Sequence, residues 1–245
     1  NASSEMSSEI ISMDMNGENQ TVLTKSARPN AKFCIYDNYL YYTSGDGKIN
    51  YDGRKIDLST GEDTESGNYV FRCGSDSVWV STGIEDGKWY ISDPGFQNIR
   101  TDDNIKGNVL GVVGNKICYM EQDGDTWTTF GYDVKTGQRV ILEKENTARS
   151  IVSGSGLYYK KVADGNTILY RRNMKDGSIE NYDLGSFNMY MGGGCSEVGD
   201  STYFIRFQPE QGERNTELWK LDRTTGEKEQ IASWYNENAE NAAKD

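Results

Sequence analysis

The sequence predicts an all-β fold, a β-propeller with four-stranded antiparallel blades. Six blades with an incomplete N-terminal one are expected, and five blades plus an extra hairpin is the alternative. Three observations predict it. The composition favours short strands and glycine turns, and two independent sequence markers recur with the same period of roughly 40 residues.

The chain holds 27 glycines, 16 tyrosines and only three prolines, with few long apolar runs, which suits many short strands joined by tight turns. At 245 residues and 35% hydrophobic content it can form one large domain with a substantial core. A formal charge of -12 repels phosphate backbones, so nucleic acid and anionic membrane surfaces are poor partners. No run approaches the roughly 20 apolar residues of a spanning helix. Residues 1–9, which lack an initiator Met, read as a linker with a cloning remnant from which an export signal or anchor has been trimmed. The four cysteines, Cys34, Cys73, Cys118 and Cys195, show no C-x-x-C spacing and each falls in an expected strand, so free buried thiols are expected; Cys34 and Cys73 are the pair to compare.

The first marker is a turn pair, a spacer, an apolar residue and usually an aromatic. It reads Asp37-Asn38 before Leu40-Tyr41-Tyr42, Ser75-Asp76 before Val78-Trp79, and Gly114-Asn115 before Ile117-Cys118-Tyr119. It continues as Gly154-Ser155 before Leu157-Tyr158-Tyr159 and Gly199-Asp200 before Thr202-Tyr203-Phe204. The central residues Tyr41, Trp79, Cys118, Tyr158 and Tyr203 are 38, 39, 40 and 45 apart. The second marker is a turn ending in Gly17, Gly61, Gly95, Gly137, Gly177 or Gly226, where positive φ is required and glycine supplies it without steric cost.

With strands named A to D, the first marker is the A–B hairpin and the second the C–D hairpin. Units then run over residues 31–67, 68–105, 106–144, 145–185 and 186–233, the fourth being the clearest from Ile151 to Gly185. A lone C–D hairpin, Ile10 to Leu23, precedes them without an A–B partner. The propeller is expected over residues 10–235, with a polar tail over 236–245.

Leu157-Tyr158-Tyr159 with Ile168 to Gly177, and Ile11 to Gly17 with Val22-Leu23, resemble the YWTD β-propellers of low-density-lipoprotein receptors. More closely they resemble a bacterial family of unknown function with propellers like those of low-density-lipoprotein-receptor-related proteins. No unit contains the literal Tyr-Trp-Thr-Asp, and Val78-Trp79-Val80-Ser81 stands in its place in the second unit. The resemblance implies six blades, an extracellular or cell-surface location in a bacterium, and a binding role without assigned chemistry.

The chain has no histidine, which removes Ser-His-Asp and Cys-His nucleophiles, His-ligated zinc and imidazole acid–base catalysis. A propeller glycosidase could still work with two carboxylates. The expected A strands are nearly free of them, and Glu197 is the only internal one. Gln122 to Trp127 is similar to the Asp box of sialidase propellers but lacks one spacer, and reads as a turn before a packed Trp. Asp46-Gly47, Asp123-Gly124-Asp125 and Asp164-Gly165-Asn166 lack the calcium-loop ladder and read as hairpin turns. Neither a metal nor a cofactor is implied.

Tyr51, Trp89 and Trp127, in or beside the expected B–C loops, are the candidate binding residues, since such rings offer an apolar face at low entropic cost. Arg149, following a D strand at the same expected end, joins them. The function expected is a non-catalytic extracellular binding or scaffold domain for a protein, peptide or glycan ligand, the alternative being a carboxylate-dependent carbohydrate-active enzyme. The N-terminal hairpin leaves an open edge that invites an upstream segment or another chain.

Overall fold

The computed structural model describes residues 8–14, 18–28, 33–45, 52–67, 69–146, 150–186, 195–210 and 213–235. Tyr51, Arg149, Gly17 and the polar tail lie outside them. The chain divides into two compact units, Asn1–Ile105 and Lys106–Asp245.

The first unit opens on an antiparallel hairpin of β1 (Ser8–Ser12) and β2 (Thr21–Ala27). A four-stranded sheet follows, of β3 (Cys34–Tyr36), β4 (Tyr39–Thr43), β5 (Gly53–Asp57) and β6 (Asp63–Gly67). A second consists of β7 (Tyr69–Gly74), β8 (Trp79–Gly83), β9 (Trp89–Asp93) and β10 (Gln97–Thr101). The second unit holds three more. They are β11 (Asn108–Val113) to β14 (Arg139–Asn146) through β12 (Lys116–Asp123) and β13 (Thr126–Asp133), then β15 (Ile151–Ser153), β16 (Gly156–Ala163), β17 (Asn166–Asn173) and β18 (Ile179–Asp183), and last β19 (Cys195–Val198), β20 (Ser201–Glu210), β21 (Glu213–Asp222) and β22 (Lys228–Tyr235). In every one the strands pair in chain order, A to D, the meander of a propeller blade. Five complete blades and one hairpin therefore make up the described residues, and the N-terminal half unit is present as expected.

Local chemistry sets both hairpins of each blade. Asp37 and Asn38 both hold positive φ, 47° and 64°, the backbone that a two-residue hairpin with right-handed strand twist needs. At the C–D turn the Asp57 carboxylate accepts from Ser59 N at 2.8 Å and Ser59 Oγ at 2.6 Å, while Gly61 N donates to Asp57 O at 2.7 Å. Asp133, Asn173 and Asp222 repeat this arrangement, each closed by a glycine at positive φ. Backbone and side-chain hydrogen bonds hold the Asp57, Asp133 and Asp222 carboxyls below the usual carboxylate range.

The two turns of a blade are also bonded to each other. The residue after the Asp or Asn donates its N–H to the A–B turn: Leu58 to Asn38 O, Val134 to Asn115 O, Met174 to Ser155 O and Arg223 to Asp200 O, all at 2.9 to 3.0 Å. In the second blade that residue is Pro94, which has no N–H to donate. There the A–B turn falls on Asp76 and Ser77, closed by Ser75 N donating to Val78 O at 2.9 Å, with Gly74 opposite Trp79. The turn thus lies one residue later than the Ser75-Asp76 pair of the marker, and the phase of β8 differs by one residue from the marker's. Trp79 lies opposite Ser92, as Leu40 lies opposite Ile56, so it takes the phase of Leu40 and not of Tyr41, with which the marker spacing aligns it.

The B strands alternate between neighbours within each unit. Leu40 and Tyr42 pack with Ala27, Ile56, Ile10 and Leu23 against the N-terminal hairpin, whereas Tyr41 turns to Phe71 and Trp79 of the next blade. Trp79 meets Tyr41, Phe71 and Phe96 with ring centroids 4.7, 5.0 and 5.2 Å away, edge to face. In the second unit Cys118 packs with Leu157, and Tyr158 packs with Cys195, Phe204 and Leu221. All four cysteines are free, and burial pushes the Cys34, Cys118 and Cys195 thiols up to about 12.

Two glycines of the third blade separate backbone strain from crowding. Gly137 sits at φ +71° with nothing within 4 Å of an added Cβ, so Gly137→Ala should cost about 1 to 2 kcal/mol from backbone strain alone. Gly111 has ordinary φ, but its Cβ would lie 2.6 Å from the Val152 Cβ, so Gly111→Ala loses stability through crowding that only removal of that Cβ relieves, and combining it with Val152→Gly should cost less than the sum of the single changes. Urea midpoints of the single and double variants check both outcomes, with no rescue expected for Gly137→Ala.

Candidate functional site

The densest polar cluster among the described residues joins the fourth and fifth blades at their A–B and C–D turns. Glu197 enters from β19 and reaches across to the fourth blade. Its Oε2 accepts from Tyr158 OH at 2.8 Å and Arg171 Nε at 3.1 Å, and its Oε1 accepts from Arg171 Nη2 at 3.0 Å and Ser155 Oγ at 3.3 Å. Arg223 stands 3.7 Å from the same Oε1. Arg171, on β17, also donates to Glu180 Oε1 at 3.2 Å, and Tyr182 donates to Glu180 Oε2 at 2.8 Å. Tyr158 OH lies 3.0 Å from Thr202 Oγ1, and Glu197 N donates to Ser153 Oγ at 2.8 Å.

Glycine makes room for this cluster. A Cβ on Gly154 would lie 2.9 Å from the Glu197 carboxyl carbon, and one on Gly156 would lie 2.8 Å from the Tyr158 ring and 3.0 Å from Arg171 Nε. The side chains of Arg171 and Glu197 are only 5% and 11% exposed, so neither charge is tolerable without the other.

Burial alone would raise the Glu197 carboxyl. The Arg171 and Tyr158 hydrogen bonds, with the Arg171 and Arg223 charges, outweigh it and bring the group below its ordinary value. Burial likewise opposes the Arg171 charge, and the Glu197 hydrogen bond and charge reverse that and raise it. Burial first, aided by Glu197 and opposed by the Thr202 bond, pushes the Tyr158 phenol up to about 12. The carboxylate is thus held ionised with both oxygens engaged. That arrangement clamps two blades and is ill suited to donating a proton.

Trp89 opens β9, opposite Thr82, and Trp127 is the second residue of β13, opposite Gln122 and Asn146; both are half-buried. Each sits at the B–C end of its blade, Trp89 in the first unit and Trp127 in the second. Tyr51 and Arg149 lie outside the described residues. Before Trp127, Gln122 Nε2 donates to Gly124 O at 3.0 Å and Thr126 Oγ1 to Asp123 O at 3.0 Å, so this segment is a self-bonded turn. No group of three or more potential metal ligands occurs among the described residues, and no helix of the described residues is long and apolar enough to cross a membrane.

Of the clamp, only Glu197 stands out in the sequence. Arg171 shares a strand face with the buried Leu169 and Thr167, and a charged residue in a buried phase is the signal that it has a partner.

Glu197→Ala should destabilise the protein by about 3 kcal/mol or more, because Arg171 is left buried and uncompensated. Combining it with Arg171→Met should cost less than the sum of the single changes. Since the folded carboxyl lies below its unfolded value, its stabilisation is full above the unfolded value, about 4.3, and is lost as pH falls through the folded one. Urea unfolding at about pH 7 and at progressively lower pH, compared with Glu197→Gln, should show that acid-side loss diminished in the variant.

No protein-family model matches the chain. No curated protein matches it in sequence. Among solved structures it is similar to TolB from Acinetobacter baumannii, with TM-score 0.60 and 14% identity over 94% of this chain and 60% of that one. This chain therefore spans about 60% of the length of that TolB. It is also similar to a chain of a nidogen/laminin complex, with TM-score 0.56 and 11% identity over 93% and 88%. An uncharacterized protein from Listeria monocytogenes matches with TM-score 0.58 and 15% identity over 94% and 80%. What the chain shares with these structures is the β-propeller fold.

Proposed function

We propose that this β-propeller is a non-catalytic binding domain for a protein ligand, of the YWTD-like type, working outside the bacterial cell. The observation that carries the reading is the state of Glu197. The one carboxylate inside an A strand is occupied by donors from Tyr158, Arg171 and Ser155 and held ionised, which makes it a blade clamp instead of a general acid. The likeness to a chain crystallised in a nidogen/laminin complex supports a protein ligand, since that structure is of a propeller-like chain in a protein assembly. The charge of -12 favours a basic face on the ligand. In this reading Trp89 anchors a ligand on the first unit or Trp127 on the second, each at the B–C end of its own blade; in the sequence Tyr51 falls in the B–C connection of the first blade and Arg149 follows a D strand.

Protein, peptide and glycan arrays probed with the purified domain test it. Saturable binding to a protein or peptide without turnover is expected, and Trp127→Ala should weaken it by about tenfold or more with the fold intact by circular dichroism. Hydrolysis of an arrayed glycan would overturn the non-catalytic reading in favour of a carbohydrate-active enzyme.

A further inference from the structure

The second blade departs from the other four on the face it turns to the first. In those four the B strand places an apolar or β-branched residue and, two residues on, an aromatic, with a large C-strand residue opposite the first of them. These sets are Leu40 and Tyr42 with Ile56, Ile117 and Tyr119 with Tyr132, Leu157 and Tyr159 with Arg172, and Thr202 and Phe204 with Leu221. The four aromatics are 0 to 2% exposed. In the second blade the same three positions hold Trp79, Ser81 and Ser92. An aromatic ring and a large C-strand side chain have given way to two serines, and only the first position has grown.

Trp79 does not fill the space above both serines. A Cβ on Gly74 would clash with its indole, so the ring leans over β7, whereas Ser92 is on β9, at the other side of β8. Tyr90, opposite Ser81, is drawn to the B–C end, where its hydroxyl donates to Asp86 Oδ2 at 2.8 Å. Tyr41 meets the indole with ring centroids 4.7 Å apart, which sets this face against the first blade. Thr43, two residues from Tyr41 on the same face of β4, is 2% exposed, so the opposite wall carries a hydroxyl as well.

Ser81 and Ser92 are themselves 0% and 1% exposed, and neither Oγ has a hydrogen-bond partner among the described residues. A buried hydroxyl left unbonded is costly, and two on one face call for a shared partner. Their register makes them diagonal neighbours, because Ser81 lies opposite Tyr90 and Ser92 is two residues beyond it. The Cβ atoms of such a pair stand about 7 Å apart, a gap that one water bonded to each Oγ at about 2.8 Å spans.

We propose that Ser81 and Ser92 together hold one buried water, seated between the first and second blades where the other blades carry an aromatic ring. The water accepts from one serine hydroxyl and donates to the other, so neither is left unbonded. It thereby bridges β8 to β9 in the blade whose Pro94 makes no turn-to-turn bond.

A crystal structure of the unaltered domain, at a resolution that shows ordered water, tests the site directly. One water within about 3.2 Å of both Oγ atoms is expected. Water at neither serine, water at only one, or both hydroxyls bonded to protein atoms would overturn the proposal. Urea unfolding reads the energetic side. Ser81→Ala and Ser92→Ala should each lower the midpoint, since each strips the water of a partner, and the double variant should lower it by less than the sum. Hydroxyls that are merely unbonded would behave in the opposite way. Each alanine would then raise the midpoint or leave it unchanged, with additive effects, and that result would also overturn the proposal. Should the alanine variants not fold, the crystal structure alone decides.

Discussion

One backbone hydrogen bond, repeated blade after blade, organises this molecule. It runs from the residue after the C–D turn Asp or Asn to the carbonyl of the A–B turn, and in four of the five blades it ties together the turns of two hairpins already paired through their B and C strands. A lone two-stranded hairpin is marginal in water, and where the bond is present it adds to the B–C pairing in holding the register of the two hairpins. The second blade keeps its four strands without this bond. Pro94 cannot make the bond, and the A–B turn is closed instead by Ser75 N donating to Val78 O and by Ser77 N and Val78 N donating to Ser75 Oγ. Phe96 then adopts φ of 59°, unusual for a bulky residue, with its ring against Trp79 and Tyr41.

Register matters because a blade buries both its faces against neighbours. With a side-chain period of two, β4 and β16 send alternate residues to the neighbour before and the blade after within their own unit. The chemistry of these contacts differs along the chain. Tyr41, Phe71 and Trp79 make an aromatic contact, Cys118, Leu157 and Met174 an aliphatic and sulfur one, and between the fourth and fifth blades an apolar core adjoins the Arg171–Glu197 clamp. A buried ion pair contributes little net stability over an apolar substitute, but it punishes any slip that separates its partners.

How much of this is legible in the sequence follows from how local its causes are. The turn glycines and the residues before them are read at sight, because positive φ and a carboxylate accepting two residues ahead are short-range demands. The blades and the half unit at the N-terminus follow from counting those turns. The phase of Trp79 does not, because Ser75, Asp76 and Ser77 are all good turn residues and the sequence does not say which two form the turn; the structure turns on Asp76 and Ser77. Nor does the pairing of the clamp, since Glu197 stands out as the carboxylate inside an A strand and Arg171 as a charge in a buried phase, but they meet across two blades and nothing in the sequence joins them. Trp89 and Trp127 are found where spacing puts them, at the B–C ends, because strand boundaries are again set by local turns.

The turn-to-turn bond also divides each blade into an end that evolution must keep and one it is free to change. Both markers, and the glycines they require, lie at the A–B and C–D end. The B–C connections carry no such bond, and they already differ in length, spanning residues 44–52, 84–88, 124–125, 164–165 and 211–212. Loop-closure entropy grows only slowly with length, so insertions there cost the fold little. Relatives sharing this scaffold are thus expected to diverge first in these connections, acquiring new ligands by lengthening loops while the opposite end stays recognisable by its turns.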